Sequence, residues 1–349
     1  MTDEILAFTE GKVGRLRLNR PKAIHALTHG MCTAMIAALL DWAKDDAIDL
    51  ILLDHAEGRG FCAGGDIRAL ADSAATDGVA ARAFFHEEYR LNHLLFGYAK
   101  PVIAFMDGIT MGGGVGISQP CRYRIVTERT AYAMPETGIG LFTDVGGGRY
   151  LSRMPGRTGR YVGLTGARLN GAECLTLALG THYVASEGVE ALKAGIIANP
   201  ARLDSELRSA VTMVPPAPIL DHQEEIDRLF ASDDYETILA ALAAERSEWA
   251  DEQLAILATK SPQSCKVVLR LLAEAARIED FADEMRMEYA IAGHIIARPD
   301  FVEGVRALII DKDNAPKWNP STPQAADAAL IDAIFAPAPA DAWTPLPSA

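Results

Sequence analysis

Pro101 and Gly108 bracket a short apolar run, Val102 to Met106, and a few residues later the chain reaches Gly112, Gly113 and Gly114, followed by Gly116. Few folds satisfy that order. An apolar run this short and this sharply bounded reads as a buried strand. Glycines directly behind it leave the backbone amides open, because no side chain stands between them and whatever approaches. Where such a turn leads into a helix, the first N–H groups have no acceptor of their own and attract negative charge. Residues 57–67, EGRGFCAGGDI, repeat the arrangement: they follow the apolar run Ile48–Asp54 and lead into a helix at Asp66. Two turns of this kind can place two amide donors around one oxygen, which is the requirement for an oxyanion hole. Neither turn carries GxGxxG or GxxxxGK[ST], which argues against a dinucleotide fold or a P-loop.

The segments around these turns alternate in type. Residues 4–8 and 13–19 read as a hairpin turning at Glu10-Gly11-Lys12, and a helix is expected from about Thr28, with Met31, Met35, Leu39 and Trp42 at helical steps. The nearly continuous run Ile48–Asp54 is expected to be a strand covered on both faces. Strand, helix, strand is the beginning of an α/β protein. A long helix is expected over 79–98, where Phe84, Leu91 and Leu95 share a stripe with Glu88; a Glu on a core-facing stripe needs a partner or a purpose. Further strands are expected at 122–128, 130–134 and 180–184, and helices at 149–179, 235–249, 251–258, 262–278 and 281–297. The Pro- and Ala-rich stretch from Ala315 is expected to lose order toward its end. Two carboxylates, Glu136 and Asp144, lie in loop-like sequence bounded by Pro135, Gly138, Gly140 and a second triple glycine, Gly146–Gly148. Rigid, glycine-bounded loops that carry acids beside a candidate anion hole mark a site.

Composition limits the partners. A net charge of −14 over 349 residues gives no cationic surface for a phosphate backbone or an anionic membrane, so an anionic ligand needs a local basic pocket. Neither nucleic acid nor membrane is expected as a partner. Cys32, Cys62, Cys121, Cys174 and Cys265 form no metal-type spacing and are expected to be reduced, buried thiols. His86 and His93 are seven apart on the long helix with no third ligand in view, so no metal site is expected. The acidic start MTDEILAFTE has no basic n-region, no apolar run approaches a membrane span, and a soluble, cytoplasmic protein is expected.

Four motifs, FCAGGDIRAL, KPVIAFMDGITMGGGVGIS, AMPETGIGLFTDVGGG and MEYAIAGHIIARPDFVEGVRALIIDKDNAPKWNP, together resemble the crotonase, or enoyl-CoA hydratase/isomerase, superfamily over roughly residues 10–320. Within it the chain is most similar to the branch that hydrolyses 3-hydroxyisobutyryl-CoA and other short 3-hydroxyacyl-CoA thioesters, as in valine degradation. The resemblance implies an α/β fold, a crotonase-like spiral of ββα units over 1–200, with a C-terminal helical region over 201–349 covering the acyl site. It implies that the amides of Gly65 and Gly113 form the oxyanion hole, and that Glu136, Asp144 and Glu88 are the acids of the site. Lys22, Ala23, His25, Ala63, Gly65, Asp66 and Ile67 would line the CoA site, with His25 standing where relatives commonly have Asn. Glu136 is expected to attack as nucleophile or to act as general base, with attack favoured; Asp144 would bind the substrate hydroxyl or move a proton. No cofactor beyond the CoA of the substrate is implied, and a homo-oligomer fits the superfamily. The alternatives are an enoyl-CoA hydratase/isomerase or a noncatalytic acyl-CoA- or RNA-binding member. Against hydration stands a missing residue: the second glutamate of the hydratases falls three positions after Gly113, where this chain has Gly116.

Overall fold

The computed structural model describes residues 3–338 and 342–347. β1 (Ile5–Glu10) and β2 (Val13–Leu18) form the hairpin, and α1 (His29–Lys44) leads to β3 (Leu50–His55). Three turns follow in which a pair of strands precedes a helix. β3 and β4 (Gly60–Cys62) come before α2 (Ile67–Ala74) and α3 (Val79–Phe96). β5 (Val102–Met106) and β6 (Ile109–Met111) come before α4 (Gly113–Ser118). β7 (Tyr123–Val126) and β8 (Ala131–Ala133) come before α5 (Gly147–Ser152). The spiral closes through α6 (Thr158–Thr165), β9 (Leu169–Asn170), α7 (Gly171–Thr176) and β10 (His182–Tyr183).

The first strand of each pair enters a six-stranded sheet, ordered β1-β2-β3-β5-β7-β10, and the second enters a four-stranded sheet, ordered β4-β6-β8-β9. Successive turns run parallel in both sheets: Ile51 pairs with Val102 and Ile103 with Tyr123, while Ile109 lies between Gly60 and Ala131. This is the ββα spiral that the resemblance implied. From here the described chain is helical. α8 (Val189–Ala198), α9 (Leu203–Ala210), α10 (Gln223–Leu229), α11 (Tyr235–Glu245) and α12 (Glu248–Leu257) precede α13 (Pro262–Ala275), α14 (Phe281–Ile295), α15 (Pro299–Val305) and α16 (Ala328–Ile334).

Local chemistry accounts for the elements that frame the site. Thr28 caps α1 by accepting the Met31 amide at 3.2 Å, and Met31, Met35, Leu39 and Trp42 bury one stripe of that helix. β3 is apolar throughout because it serves two cores. Ile51 and Leu53 face the main one, whereas Leu50 and Leu52 face a smaller one shared with Phe105 and with Val189, Leu192 and Ile196 of α8. The main core is one cluster that includes both Ile5 and Trp343, so the C-terminal helices are built onto the spiral. α14 packs on α3, α15 on α2 and on the 3-10 turn Glu136–Ile139, and α13 on α5 and α6.

Several expectations need correction. The glycine-rich stretch 57–67 contains a strand, β4, and β6 and β9 lie in segments read as turn or helix; strands of two or three residues are too short for any periodicity to show. The helix expected over 235–249 is interrupted at Arg246, which adopts a left-handed φ of 56°, and Ser247 starts α12 by accepting the Ala250 amide. The tail holds more order than its Pro- and Ala-rich composition suggests. Trp343 is buried and its indole N–H donates to the His86 carbonyl at 3.1 Å on α3. Residues 339–341 and 348–349, on which part of that expectation falls, lie outside the described residues. The cysteines are free and buried, as expected.

At the end of β3 a single buried carboxylate ties the spiral to α8. Asp54 accepts from Arg15 at 2.7 Å and Arg17 at 3.3 Å, and Lys193 of α8 stands 2.9 Å away. Burial alone would raise the Asp54 pKa, but Lys193 and Arg15 outweigh it and hold the carboxyl below its ordinary range. A carboxylate lowered on folding stabilises the fold above its unfolded pKa, and that contribution is lost as pH falls through the folded value. Asp54→Asn leaves buried cations without their partner and should destabilise the fold by about 3–5 kcal/mol near neutral pH. The deficit should begin to shrink below about pH 4, where the unfolded chain takes up its proton, and be lost only below the lower folded value of Asp54. Urea melts at both pH values check this; an equal deficit at acid pH would assign the effect to shape rather than charge.

Candidate active site

The two glycine turns, α3 and the segment from Pro135 to Val145 enclose a cavity of about 60 Å³. Gly65 comes from the first turn and Gly113 from the second, and both line it. The spiral brings them together because β4 and β6 are parallel neighbours that end at the same level. The first turn is held against residues 24–27: Leu27 donates to the Gly64 carbonyl at 2.7 Å, and Asp66 donates to Leu27 at 2.9 Å. Gly64 sits at φ +116°, a conformation that side chains rarely adopt. A β-carbon added there would lie 3.7 Å from the Gly113 nitrogen, so the turns are in contact. Neither the Gly65 nor the Gly113 amide donates to a backbone acceptor among the described residues. Two free N–H groups therefore border one small cavity.

Glu88 of α3, Glu136 and Asp144 line the same space, and each is less than 5% exposed. A β-carbon on Gly113 would collide with Glu88 Oε1, which places that carboxyl directly against the second turn. Glu136 Oε1 lies 3.2 Å from the corresponding position on Gly112. Glu88 Oε1 and Glu136 Oε2 are buried and have no hydrogen-bond partner among the described residues. The Tyr89 hydroxyl donates to Asp144 Oδ2 at 2.7 Å. The remaining walls are apolar and include Phe84, Phe85, Ile139 and Leu141.

Three carboxyls buried this deeply beside one another are not all charged near neutral pH. Burial pushes Glu136 well above the usual carboxylate range, with Asp144 adding repulsion; burial and the charges of Asp144 and Glu136 do the same to Glu88. Asp144 is raised by burial to about 7, with the Tyr89 hydroxyl opposing the rise. The protons belong to the cluster rather than to one residue. Near neutral pH it holds neutral acids that can donate together with a partly ionised Asp144, beside two free amides that line the same cavity.

The expected CoA-lining residues fall into two groups. Ala63, Gly65 and Ile67 line the cavity; Lys22, Ala23, His25 and Asp66 stand outside it. Residues 24–27 and 63–66 do lie side by side, with Ala63 donating to the Ile24 carbonyl at 2.9 Å. Lys22 is exposed at the rim. The His25 ring is buried and committed within its own loop: the Arg20 amide donates to Nδ1 at 3.0 Å and Nε2 lies 2.8 Å from the Glu57 carbonyl. Its backbone is engaged as well, the amide donating to the Arg20 carbonyl at 2.9 Å and the carbonyl accepting from Cys62 Sγ at 3.2 Å, and its φ of 55° is one that Asn and His tolerate better than most residues. Asp66 is occupied as the cap of α2 and as the partner of Arg20 at 3.0 Å. Sequence reasoning missed Tyr89, which nothing but its place beside Glu88 could have marked. Every lining residue falls between Ala63 and Val145, and α15 packs against α2 and the 3-10 turn Glu136–Ile139, two of the elements that supply them.

Position 116 is closed to any side chain. A β-carbon there would lie 2.6 Å from Val145 Cβ and 2.9 Å from Asn92 Nδ2, so the space that a glutamate would need is filled. Among the described residues, no cluster of three or more His, Cys, Asp or Glu side chains is arranged to hold a metal ion, and no helix is long and apolar enough to cross a membrane.

A family model described as enoyl-CoA hydratase/isomerase matches residues 13–335. The chain is 41% identical over 341 residues to a Danio rerio protein named 3-hydroxyisobutyryl-CoA hydrolase, mitochondrial, covering 95% of this chain and 89% of that one. It is 37% identical over 328 residues to the Homo sapiens protein of the same name, covering 91% and 85%. Among solved structures, one described as a carnitinyl-CoA dehydratase from Mycobacterium thermoresistibile superposes with a TM-score of 0.92 at 40% identity, over 96% of this chain and 97% of that one. One described as an enoyl-CoA hydratase from Rhodobacter sphaeroides 2.4.1 gives a TM-score of 0.91 at 34% identity, over 98% and 100%.

The buried acids carry a stability signature. A carboxyl raised on folding keeps a proton that the unfolded chain releases near pH 4, so stability falls as pH rises from there toward the folded pKa. Glu88→Gln keeps the shape and removes the titration. Its melting temperature should exceed wild type by about 2 °C or more at pH 7 and match it near pH 4. Calorimetric melts at the two pH values test this, and a variant that melts at or below wild type at pH 7 would contradict the cluster reading.

Proposed function

The chain belongs to the enoyl-CoA hydratase/isomerase family, and from that premise we propose that it is a thioester hydrolase that cleaves 3-hydroxyisobutyryl-CoA, or a similar short 3-hydroxyacyl-CoA, to the free acid and CoA. The observation that carries this reading is the pairing of two unengaged amides, Gly65 and Gly113, with three buried carboxyls in a cavity of about 60 Å³. The relatives named as hydrolases support the substrate class. A cavity this small suits an acyl group of a few carbons.

The thioester carbonyl oxygen would sit between the two amides, where the charge that develops during attack is met by donors already in place; one such donor typically contributes about 2.7–4 kcal/mol. Glu136 attacks the carbonyl carbon as a carboxylate, a state it reaches by passing its proton to Asp144. An acyl group that fills the cavity leaves little room for an ordered water between the two, which favours direct attack over general-base catalysis. The C–S bond breaks as the tetrahedral intermediate collapses, and the CoA sulfur takes a proton from a neutral acid of the cluster, Glu88 or Asp144. Water then attacks the mixed anhydride, giving one proton to the carboxylate left by that donor, and the acid leaves while Glu136 returns as carboxylate. One water is consumed, and the products are the acid and the CoA thiol. Asp144, held by Tyr89, is placed to accept a hydrogen bond from the 3-hydroxyl of the substrate.

Hydration of a double bond is the competing reading, because both solved relatives are described as lyases of that kind. Against it stands Gly116, where the missing glutamate has neither a side chain nor space. Thiol release from 3-hydroxyisobutyryl-CoA should exceed water addition to crotonyl-CoA by about two orders of magnitude, the usual contribution of one general acid or base. Hydration as fast as hydrolysis in parallel assays would overturn the assignment. Glu136→Gln should abolish most of the hydrolysis while leaving the fold intact.

The pH profile follows from the raised carboxyls. Burial and the neighbouring Asp144 hold Glu136, the attacking group, well above the usual carboxylate range, so kcat/KM should climb on the alkaline side of neutrality rather than near pH 4. A flat profile between about pH 5 and 8 would show that the reacting carboxylate is already charged well below neutrality.

A further inference from the structure

Two buried acids take no part in the chemistry above. Glu284 and Glu288 lie one turn apart on α14, and neither is exposed. Glu288 Oε2 accepts the amide of Gly146 at 2.8 Å, and its Oε1 accepts the amide of Gly148 at 3.4 Å. These amides open α5, whose N-cap is Gly146, a residue with no side chain to supply the cap. Asp144 lies two residues upstream, and its carbonyl accepts the Gly147 amide at 2.8 Å. Three consecutive glycines have no side chains with which to fix their own course, so the loop that carries Asp144 takes its shape from partners elsewhere. Those partners include a carboxylate 142 residues further along the chain.

A buried carboxyl is an expensive way to cap a short helix, since an apolar side chain of the same volume would often give a more stable protein. The groups around Glu288 show what the acid is near. Asp144 and Tyr89 face it from the site, Glu284 flanks it on α14, and Arg149 stands 3.7 Å from Glu284. The loop with Asp144, the Tyr89 hydroxyl that bonds it and the two amides held from α14 make one connected unit.

We propose that Glu288 is a positioning residue: by holding the amides of Gly146 and Gly148 from α14, it fixes the loop that presents Asp144 to the substrate. This rests on the assignment of Asp144 to the reacting cluster of a thioester hydrolase. The C-terminal helices then contribute to catalysis without touching the substrate.

The test compares wild type, Glu288→Ala and Glu288→Gln as full-length protein, with amide hydrogen exchange of the peptide spanning 142–152 and kinetics of thiol release from 3-hydroxyisobutyryl-CoA. Glu288→Ala should speed exchange in that peptide and leave the rest of the spiral unchanged. It should lower kcat by roughly 10- to 100-fold with little change in KM, the penalty expected for a misplaced catalytic group. Glu288→Gln keeps the shape and one acceptor oxygen and should fall between the two in both measurements; it also serves if the alanine variant does not fold. Unchanged exchange in 142–152 overturns the proposal even if kcat falls, and faster exchange with wild-type kcat overturns it as well. A wild-type protein that releases no thiol from any 3-hydroxyacyl-CoA would sink the hydrolase assignment instead, and the exchange measurement would still decide whether Glu288 holds the loop.

Discussion

Three carboxyl groups share one apolar cavity, and much of the structure can be understood as what is needed to keep them there. Left to itself such a cluster would recruit water, neutralise or spread apart, because each charge is penalised by burial and by its neighbours. Here each acid is anchored to a different piece of rigid backbone. Glu88 rides on the longest helix of the spiral, Glu136 opens a 3-10 turn braced by α15, and Asp144 sits in a glycine loop tied to α14. Tyr89 supplies one strong donor, and the apolar walls supply none. The proton affinity of the site follows from that imbalance.

The same framework explains how near relatives can differ in chemistry. Hydratases and hydrolases of this fold need the same polarised thioester carbonyl, and the paired glycine turns serve both. In the proposed hydrolase reading, the distinction lies in what the first turn of α4 carries. In this chain Val145 and Asn92 close over Gly116, so the difference is built into packing as well as into the identity of one residue. Restoring a glutamate there would require the Asp144 loop to move, which couples the choice of reaction to the placement of another acid.

Much of this was legible in the sequence, for identifiable reasons. Ile48–Asp54 announced a doubly covered strand because both of its faces are apolar, and α1 and α3 showed their stripes over many turns. Glu88 could be picked out because a charge on such a stripe violates the pattern. The second sheet was largely illegible, since β4, β6 and β9 span only two or three residues each and present no period. Partners distant in sequence left no local mark either: nothing about Tyr89, Val145 or Glu288 says what each will touch. The tail misled in the opposite direction, since one tryptophan can dock a segment whose average composition argues for disorder.

The long reach of these contacts also sets an order of events. The bond from Glu288 to the Gly146 amide closes a loop of 142 residues, and that from Trp343 to His86 spans 257. Contacts so remote in sequence form late, because chain entropy must be lost before they return any stabilisation. During synthesis the spiral can pair its strands while α14 is still missing, yet the glycine loop then has no carboxylate to hold it and the tail has not reached α3. A nascent or truncated chain that stops before α14 would therefore carry every acid of the cluster and both glycine turns, yet lack the Glu288 contacts to the loop that bears Asp144.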